Sequence, residues 1–524
     1  MGNVVPHTIL HGRKRKLDDV EQEGTDAEED NLNTPKKKKL KTTSKYIFET
    51  LFVNGEGSDI KLVALGKVWP LHKVYLCQSG YFASMFSGSW KESNLDVINM
   101  NFPDENITES ALRVALGSLY QDDVLLEPSG AVNVLAAATL LSLDGLILQC
   151  ADVLQETISA KTVCKYHTAA VTYGQQQLAL ECIDWLEKNL MTSQTVELLR
   201  DISCALMEKL VLSDNLFVIQ VEMDLYSMLK KWLFLQLHPI WQGKLRDLTK
   251  ETDPFFRSRA GVTCEDFLST VRGAPYATMF RGLRTQHLVN DLASVKILEL
   301  DHIIPMEWLM GGYRRQWLQM LQVEQGQDQG PSEEPEKSTI KFPEESLRCG
   351  RVLYKEGDYC WRWTGYNFGI DLLLSFTNRL FTLRRNTHQQ TTPGAACLKN
   401  ERHVMFKLTV ASFDNLGHTK YIKTSGLKHL SMGKDEDAVV MMIERHVAFP
   451  LRVSCNFLVY TPKDEWASQP AAEKLGISKS KSSTTSGTNH QSITDQANPG
   501  GSTSPGPVHA NPNPGGVNNA EVSL

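Results

Sequence analysis

The stretch from Ser58 to Ser93, SDIKLVALGKVWPLHKVYLCQSGYFASMFSGSWKES, decides the fold of the N-terminal half of this chain. Ile60, Leu62 and Ala64 alternate with other residues, which predicts a strand with one buried face. A tight turn at Gly66 leads into a second strand, and two short helices follow. The pattern indicates a mixed domain that begins with a small sheet.

The order of side chains in this stretch resembles the core of a BTB/POZ domain, a module that dimerises and docks partners. The residues that carry the resemblance are Asp59, His72, Tyr81, Phe82, Met85, Phe86, Trp90, Lys91 and Glu92. The resemblance implies a BTB/POZ domain over residues 46–160 and a protein that is not an enzyme. Asp59 and His72 could also be interpreted as a catalytic acid–base pair. The resemblance instead makes them structural, with Asp59 near the dimer groove and His72 capping a helix.

The composition excludes several classes of protein. The chain has 524 residues, of which 41% are hydrophobic, and its formal net charge is −6, so it is neither a polycation nor an acidic solvating chain. Its ten cysteines contain no CxxC pair, which argues against a zinc finger and fits a reducing compartment. No apolar run approaches the roughly 18 residues of a membrane span, and we expect no secretory signal.

Sequence motifs of catalysis are also missing. The chain has no G-x-S-x-G, no Walker loop, no dinucleotide fingerprint and no HExxH. We therefore expect no catalytic residue, no cofactor and no metal site.

Downstream of the first domain, the sequence divides into five further segments. Residues 161–245 are predicted to be helical throughout and resemble a BACK domain, the helical extension that often follows a BTB domain. Residues 246–323 are predicted to be a mixed, partly helical extension. Residues 324–345 are rich in Glu, Gln, Pro and Ser, which predicts a linker.

Residues 346–462 have a period of two. Val404, Phe406 and Leu408 alternate with Met405 and Lys407, which predicts an antiparallel β unit, either a sandwich or a barrel. Both ends of the chain, residues 1–45 and 463–524, have few apolar residues, and we expect them to be disordered.

The complete layout resembles the germ cell-less-like proteins. It consists of a basic arm, a BTB domain, a BACK domain and a Trp-rich β unit that begins CGRVLYKEGDYCWRWTGYNFG at Cys349. The resemblance covers residues 31–462, and the chain contains no internal repeat of the kelch kind. It implies an α+β multidomain protein with a BTB/POZ α/β domain, an all-helical BACK domain, a C-terminal antiparallel β unit and disordered ends. It also implies a role in germ-cell development, including spermatogenesis.

The triplet Trp90-Lys91-Glu92 resembles the cullin-3 docking motif of BTB adaptors, and Tyr120 falls where such adaptors place a second aromatic contact. A large apolar side chain can anchor in a groove while a carboxylate adds charged specificity. In the alternative interpretation, Trp90 covers the BTB core and Glu92 is solvated.

The resemblance therefore favours a substrate-specific adaptor of a cullin-3 E3 ubiquitin ligase. Such an adaptor forms a BTB homodimer and holds an unknown protein substrate on the β unit or on residues 246–323. The alternative is a nuclear envelope or matrix scaffold, or a transcriptional co-regulator, that acts through BTB dimerisation without ubiquitin.

Two basic clusters near the N-terminus resemble nuclear import signals that importin recognises. They consist of Arg13, Lys14, Arg15 and Lys16, and of Lys36, Lys37, Lys38 and Lys39. Nonspecific nucleic-acid binding is the alternative, but acidic residues lie between the clusters and no aromatic residues interleave with the lysines. We expect no direct nucleic-acid contact and a location in the nucleus, associated with its matrix or envelope.

Gly2 invites comparison with myristoylated proteins. The myristoylation pattern has Ser or Thr at the sixth position, where this chain has Pro6. The departure argues against membrane anchoring through a lipid.

Overall fold

The computed structural model describes residues 43–88, 91, 95–122, 124–260, 265–289, 291–325, 335–363, 372–385, 400–434 and 436–468. Both basic clusters, Trp90, Glu92 and the tail from residue 469 lie outside the described residues.

The N-terminal domain is a three-stranded sheet with helices packed against it. Strand β1 (Ile60–Ala64) pairs antiparallel with β2 (Lys67–Leu71) and parallel with β3 (Val97–Met100). Leu65 and Gly66 have φ angles of 54° and 74°, as a two-residue hairpin turn requires. The helices of this domain are α1 (Thr43–Ile47), a π-helix (Phe48–Val53), α2 (Lys73–Leu76), α3 (Gly80–Phe86), α4 (Glu109–Gly117), α5 (Ala131–Leu140) and α6 (Asp144–Glu156).

A run of helices follows. They are α7 (Val163–Thr172), α8 (Gln176–Asn189), α9 (Val196–Asp201), α10 (Cys204–Leu212), α11 (Glu222–Leu237), α12 (Leu245–Ala260), α13 (Ala277–Arg281), α14 (Leu292–Asp301) and α15 (Met306–Glu324). Within the described part of residues 246–323, predicted to be mixed, the regular elements are α-helices and short 3-10 helices. No helix of the described residues is long and apolar enough to cross a membrane.

The predicted linker is in part a helix. Residues 335–345 form α16 (Pro335–Glu345), whose Phe342 is buried. The prediction of a linker over this stretch was wrong because α16 is stabilised by packing against distant residues, which its polar composition does not indicate.

The C-terminal unit is antiparallel β structure, as the period of two predicted, and of the two alternatives it is a sandwich. Its strands are β4 (Leu347–Leu353), β5 (Tyr359–Trp363), β6 (Leu372–Thr377), β7 (Leu380–Arg385), β8 (Arg402–Phe413), β9 (Thr419–Met432), β10 (Asp437–Met442) and β11 (Leu451–Tyr460). They form two antiparallel sheets, β10-β7-β6-β5 and β4-β11-β8-β9, which share one apolar core.

Helices extend into both of the end segments that the sequence predicted to be disordered. Helix α1 begins at Thr43, and α17 (Lys463–Ser468) extends past the predicted limit of the β unit. Lys463 of α17 forms an ion pair with Glu336 of α16, which joins this short helix to an element that the sequence did not predict.

A buried ion pair fastens the sandwich to the helical region. Arg348 of β4 donates from Nη2 and Nε to the carboxylate of Glu222 in α11, over 2.5 and 3.0 Å, and the backbone N–H of Arg284 donates to the same carboxylate over 3.0 Å. Arg284 also donates to the carbonyls of Ser346 and Pro343 at the end of α16. Burial and the charge of Arg348 lower the pKa of Arg284 to about 9, so this arginine stays cationic at neutral pH.

Backbone contact adds to this ion pair. Gly350 of β4 and Gln220 exchange two backbone hydrogen bonds, of 2.8 and 3.3 Å. A Cβ at Gly350 would lie 2.1 Å from the carbonyl oxygen of Val218, which is closer than atoms can approach. Only glycine therefore permits this strand to lie against the helical region.

A second interface joins α8 to the turn between β8 and β9. Trp185 Nε1 and Asn189 Nδ2 each donate over 3.0 Å, to the carbonyls of Leu416 and Gly417. Arg452 of β11 donates over 2.6 Å to the carbonyl of Lys188. The sandwich is thus attached to the helical region at two separate places.

We expect Glu222→Gln to lower the free energy of unfolding by about 3–5 kcal/mol, because it leaves the buried Arg348 cation uncompensated. Burial alone would raise the pKa of Glu222, but the charges and hydrogen bonds of Arg348 and Arg284 outweigh it and bring the pKa below 4.5. The stabilisation is therefore complete above pH 4.5 and is lost as the pH falls through the folded-state pKa.

The measurement is urea unfolding of both chains from pH 7 to pH 3. The matched control is Glu336→Gln, which removes the exposed partner of Lys463 and should leave the midpoint nearly unchanged. Parallel stability profiles for the wild type and the Glu222→Gln chain would contradict the assignment.

Candidate docking site of the N-terminal domain

The predicted docking residues divide into two groups. Trp90 and Glu92 lie outside the described residues, whereas Tyr120 follows the end of α4 and is described. Its side chain is 3% exposed, so the ring belongs to the interior of this domain. The docking role of Tyr120 stays a prediction, and a partner would reach the ring only through its neighbours.

Tyr120 and His72 form a buried polar pair. The backbone N–H of His72 donates to the Tyr120 hydroxyl over 3.0 Å, and Nδ1 of the ring lies 3.3 Å from the same oxygen. Nε2 lies 2.9 Å from the carbonyl oxygen of Glu56, an acceptor, so it carries a proton. In the neutral imidazole, Nδ1 then accepts from the hydroxyl of Tyr120. Burial raises the pKa of Tyr120 to about 12, so the hydroxyl stays protonated at neutral pH.

Asp59 caps helix α2. Its Oδ1 accepts a hydrogen bond of 2.8 Å from the backbone N–H of Lys73, at the start of the helix. His72 occupies the N-cap position, but its side chain makes no capping hydrogen bond among the described residues. His72 therefore lies at the N-cap as expected, while Asp59, the residue directly before β1, supplies the capping acceptor.

Tyr120 packs within a row of aromatic rings that the sequence did not predict. Phe48 and Phe52 of the π-helix lie 5.2 Å apart between ring centroids, and Phe52 lies 5.2 Å from Tyr120. Tyr75 of α2 stacks on Tyr120 with 4.4 Å between ring centroids. Tyr75 is half-buried and Val74 is 72% exposed, so α2 presents the accessible surface at this place.

Helix α3 fixes the start of the predicted docking stretch. The hydroxyl of Ser79 accepts from the backbone N–H of Phe82 over 3.3 Å and caps the helix. Phe82 and Met85 are buried, and the helix ends at Phe86. The segment with Trp90 and Glu92 therefore follows a helix that is anchored in the core.

The described residues hold little that could support chemistry. Among them, no group of three His, Cys, Asp or Glu side chains could bind a metal. Burial raises the pKa of the thiols of Cys150, Cys164 and Cys182 to about 12, so these thiols are poor nucleophiles at neutral pH.

Comparison with known proteins agrees with this architecture. The BTB/POZ domain family matches residues 48–158. Germ cell-less protein-like 1 of Homo sapiens is 51% identical over 434 residues, which cover 82% of this chain and 84% of that protein. The chain belongs to the germ cell-less family.

Two more distant relatives show how much of the chain each similarity covers. The Drosophila melanogaster protein germ cell-less is 36% identical over 488 residues, which cover 88% of this chain and 85% of that protein. Kelch-like protein 26 of Homo sapiens is 28% identical over 189 residues, which cover 35% of this chain and 29% of that protein. The likeness to the germ cell-less family thus spans most of the chain, whereas the kelch-like protein shares only about a third of it.

We expect Tyr120→Phe to lower the free energy of unfolding by about 1–3 kcal/mol, because it leaves the buried N–H of His72 without an acceptor. Tyr75→Phe is the matched control, since the Tyr75 hydroxyl forms no hydrogen bond in the described part of the chain and its removal should change little. Chemical denaturation of both variants tests this expectation. Equal losses for the two substitutions would contradict the buried hydrogen bond.

Proposed function

We propose that this germ cell-less family member is a substrate adaptor of a cullin-3 ubiquitin ligase. One observation supports the proposal above others: a BTB domain and a β-sandwich belong to one chain, and buried contacts fix the sandwich to the helical region that follows the BTB domain. An adaptor requires such a layout, with a docking module in one part and a recognition surface held at a defined place in another.

Docking would use the stretch after α3. Trp90 would anchor in an apolar groove of cullin-3, and Glu92 would pair with a basic residue there. Tyr75, whose ring stacks on Tyr120, would add an aromatic contact. The BTB domain would also form the homodimer.

The chemistry of such an adaptor is positioning alone. The chain would hold a protein substrate near the ubiquitin that the ligase transfers, and the rate would rise because the reacting groups are kept close together. A dimer would present two substrate sites and gain avidity. The sandwich and residues 246–323 are the candidate recognition surfaces.

The proposed site of action is the nucleus, in association with its matrix or envelope, during germ-cell development including spermatogenesis. Support comes from the two basic clusters and from the names of the relatives.

Replacement of Lys36, Lys37, Lys38 and Lys39 by alanine should reduce nuclear uptake of the full chain several-fold, because importin would lose its lysine contacts. The measurement is uptake of a fluorescent fusion in permeabilised cells with added importin. Alanine at four exposed lysines elsewhere, Lys45, Lys161, Lys244 and Lys420, is the control. Unchanged uptake after loss of the Lys36 cluster would contradict the import signal.

For docking, we expect Trp90→Ala/Glu92→Ala to abolish the capture of cullin-3 by the full chain, because the anchor and its charged partner are both removed. Lys91→Ala, between the two residues, is the matched control and should bind like the wild type. A pulldown with purified cullin-3 measures binding, and size-exclusion chromatography checks that all three chains remain folded and of equal size.

Two results would contradict the proposal. A wild-type chain that does not bind cullin-3 would favour a nuclear scaffold or transcriptional co-regulator, which needs the BTB dimer but no ligase. A double variant that binds as tightly as the wild type would remove Trp90 and Glu92 from the interface.

A further inference from the structure

One edge of the β-sandwich is open in the part of the chain that the structure describes. Strand β9 is the last strand of the sheet β4-β11-β8-β9 and pairs only with β8 in the described sheets. In an edge strand, alternate residues direct their backbone N–H and C=O groups away from the sheet, where another chain can bind them. With 14 residues, β9 is far longer than the usual strand of about 5–6 residues. The strand therefore offers a long template for an added strand.

Apolar side chains are exposed along this edge. Strand β10, the last strand of the other sheet, lies beside β9, and Lys423 of β9 donates over 2.9 Å to the carbonyl of Met442 at the end of β10. The exposed apolar side chains of the two strands are Ile422, Leu427, Val439 and Met442. Accessible apolar groups next to unpaired backbone are what an added peptide strand needs for affinity and specificity.

The charge of β9 indicates which peptide fits. The strand contains three lysines and one histidine but no acidic residue. Lys420 and Lys428 are exposed, and neither has a carboxylate within 4 Å in any ion pair found among the described residues. An acidic peptide would be attracted along this edge, and a basic peptide would be repelled.

A β-bulge divides β9 into two runs. Ser425 and Gly426 lie opposite the single residue Leu408, and Gly426 has a φ of 64°. Gly426 occupies the left-handed region that such a bulge requires. The runs on either side of the bulge are Thr419–Thr424 and Leu427–Met432.

The surroundings of the two runs differ. Thr419 and Ile422 line a cleft of about 660 Å³, whose other walls carry the carboxylates of Asp152, Glu156, Glu181 and Asp184. These carboxylates would repel an acidic peptide from the first run. Lys423 in that run already pairs with Glu444 at 2.6 Å. The residues of the second run do not line this cleft, and Lys428 lies within that run.

We propose that the run Leu427–Met432 binds an extended acidic peptide as an additional strand. The backbone of the peptide pairs with the outer edge of β9, one carboxylate lies near Lys428, and an apolar side chain packs on Leu427. This inference rests on the proposed adaptor function and names its substrate class: proteins that present an extended segment of alternating acidic and apolar residues.

The test uses the full chain and a labelled six-residue peptide of alternating glutamate and valine, as long as the run Leu427–Met432, with fluorescence anisotropy as the readout. Lys428→Glu should weaken binding about tenfold, because it replaces attraction by repulsion. Lys420→Glu is the matched control on the same strand. It lies eight residues away, roughly 26 Å along a strand, which is beyond the Debye length in physiological salt, so it should change binding little.

Two N-methylated peptides test whether the peptide backbone pairs with β9. One peptide carries N-methyl groups on all glutamate amides and a second on all valine amides, which blocks opposite edges of the peptide strand. Only one of the two should lose binding, since an added strand uses one edge. Loss in neither would overturn the strand-addition geometry.

Several further outcomes would overturn the proposal. Lysines on edge strands also prevent edge-to-edge aggregation. If that is their only role here, the acidic peptide will not bind, and the proposal is overturned. Three other results would also exclude the proposed peptide site. A lysine–valine peptide could bind as tightly as the acidic one, or the two charge reversals could have equal effects. The chain could also self-associate in a way that depends on Lys428 without binding the peptide. Cullin-3 capture by the Lys428→Glu chain should equal the wild type, so failure of the peptide site is distinguishable from failure of the adaptor function.

Discussion

The ion pair between Glu222 and Arg348 is the interaction on which the rest of this structure depends. Both side chains are excluded from water, and a buried charge is tolerated only when its partner and its hydrogen bonds are in place. Arg348 lies in β4, so the pair sets where the sandwich begins. Through the backbone N–H of Arg284, the same carboxylate is joined to the residue that binds the end of α16. Three segments far apart in sequence, which contain Glu222, Arg284 and Arg348, thus meet at one carboxylate.

The local sequence pattern predicted those strands whose buried face is formed by their own alternating apolar residues. Ile60, Leu62 and Ala64 alternate, and they form a strand with one buried face. The same holds for Val404 and Phe406 in β8, where a period of two follows from the pleat of the strand. Fold class was therefore predictable, because periodicity reports directly on which side chains face a core.

Elements that depend on distant partners were not predictable. Helix α16 has a polar, proline-containing sequence and is stabilised by Phe342 and by the contacts of Arg284 with its end. Met405 of β8 alternates with core residues and was expected on the outer face, yet it is buried, with Thr339 of α16 donating to its sulfur over 3.7 Å. An outer face that another element covers has the same local pattern as an exposed one.

The candidate docking site shows the same division. Sequence order identified Tyr120, but its burial follows from Phe52 and Tyr75, which lie 68 and 45 residues earlier in the chain. The half-buried Tyr75 gave no signal of its own, since an isolated tyrosine in a short helix has many roles. Trp90 and Glu92 rest on resemblance alone.

The buried carboxylate of Glu222 also bears on how partners of this protein can be mapped by deletion. A fragment that ends before Arg348 would keep Glu222 in α11 but lose its counter-ion, and it would expose the face of the helical region on which β4 packs. Such a fragment is a destabilised protein and not the intact chain without one module. Loss of a partner by that fragment would then report on its folding, whereas point substitutions on the exposed strands leave the shared carboxylate intact and report on binding.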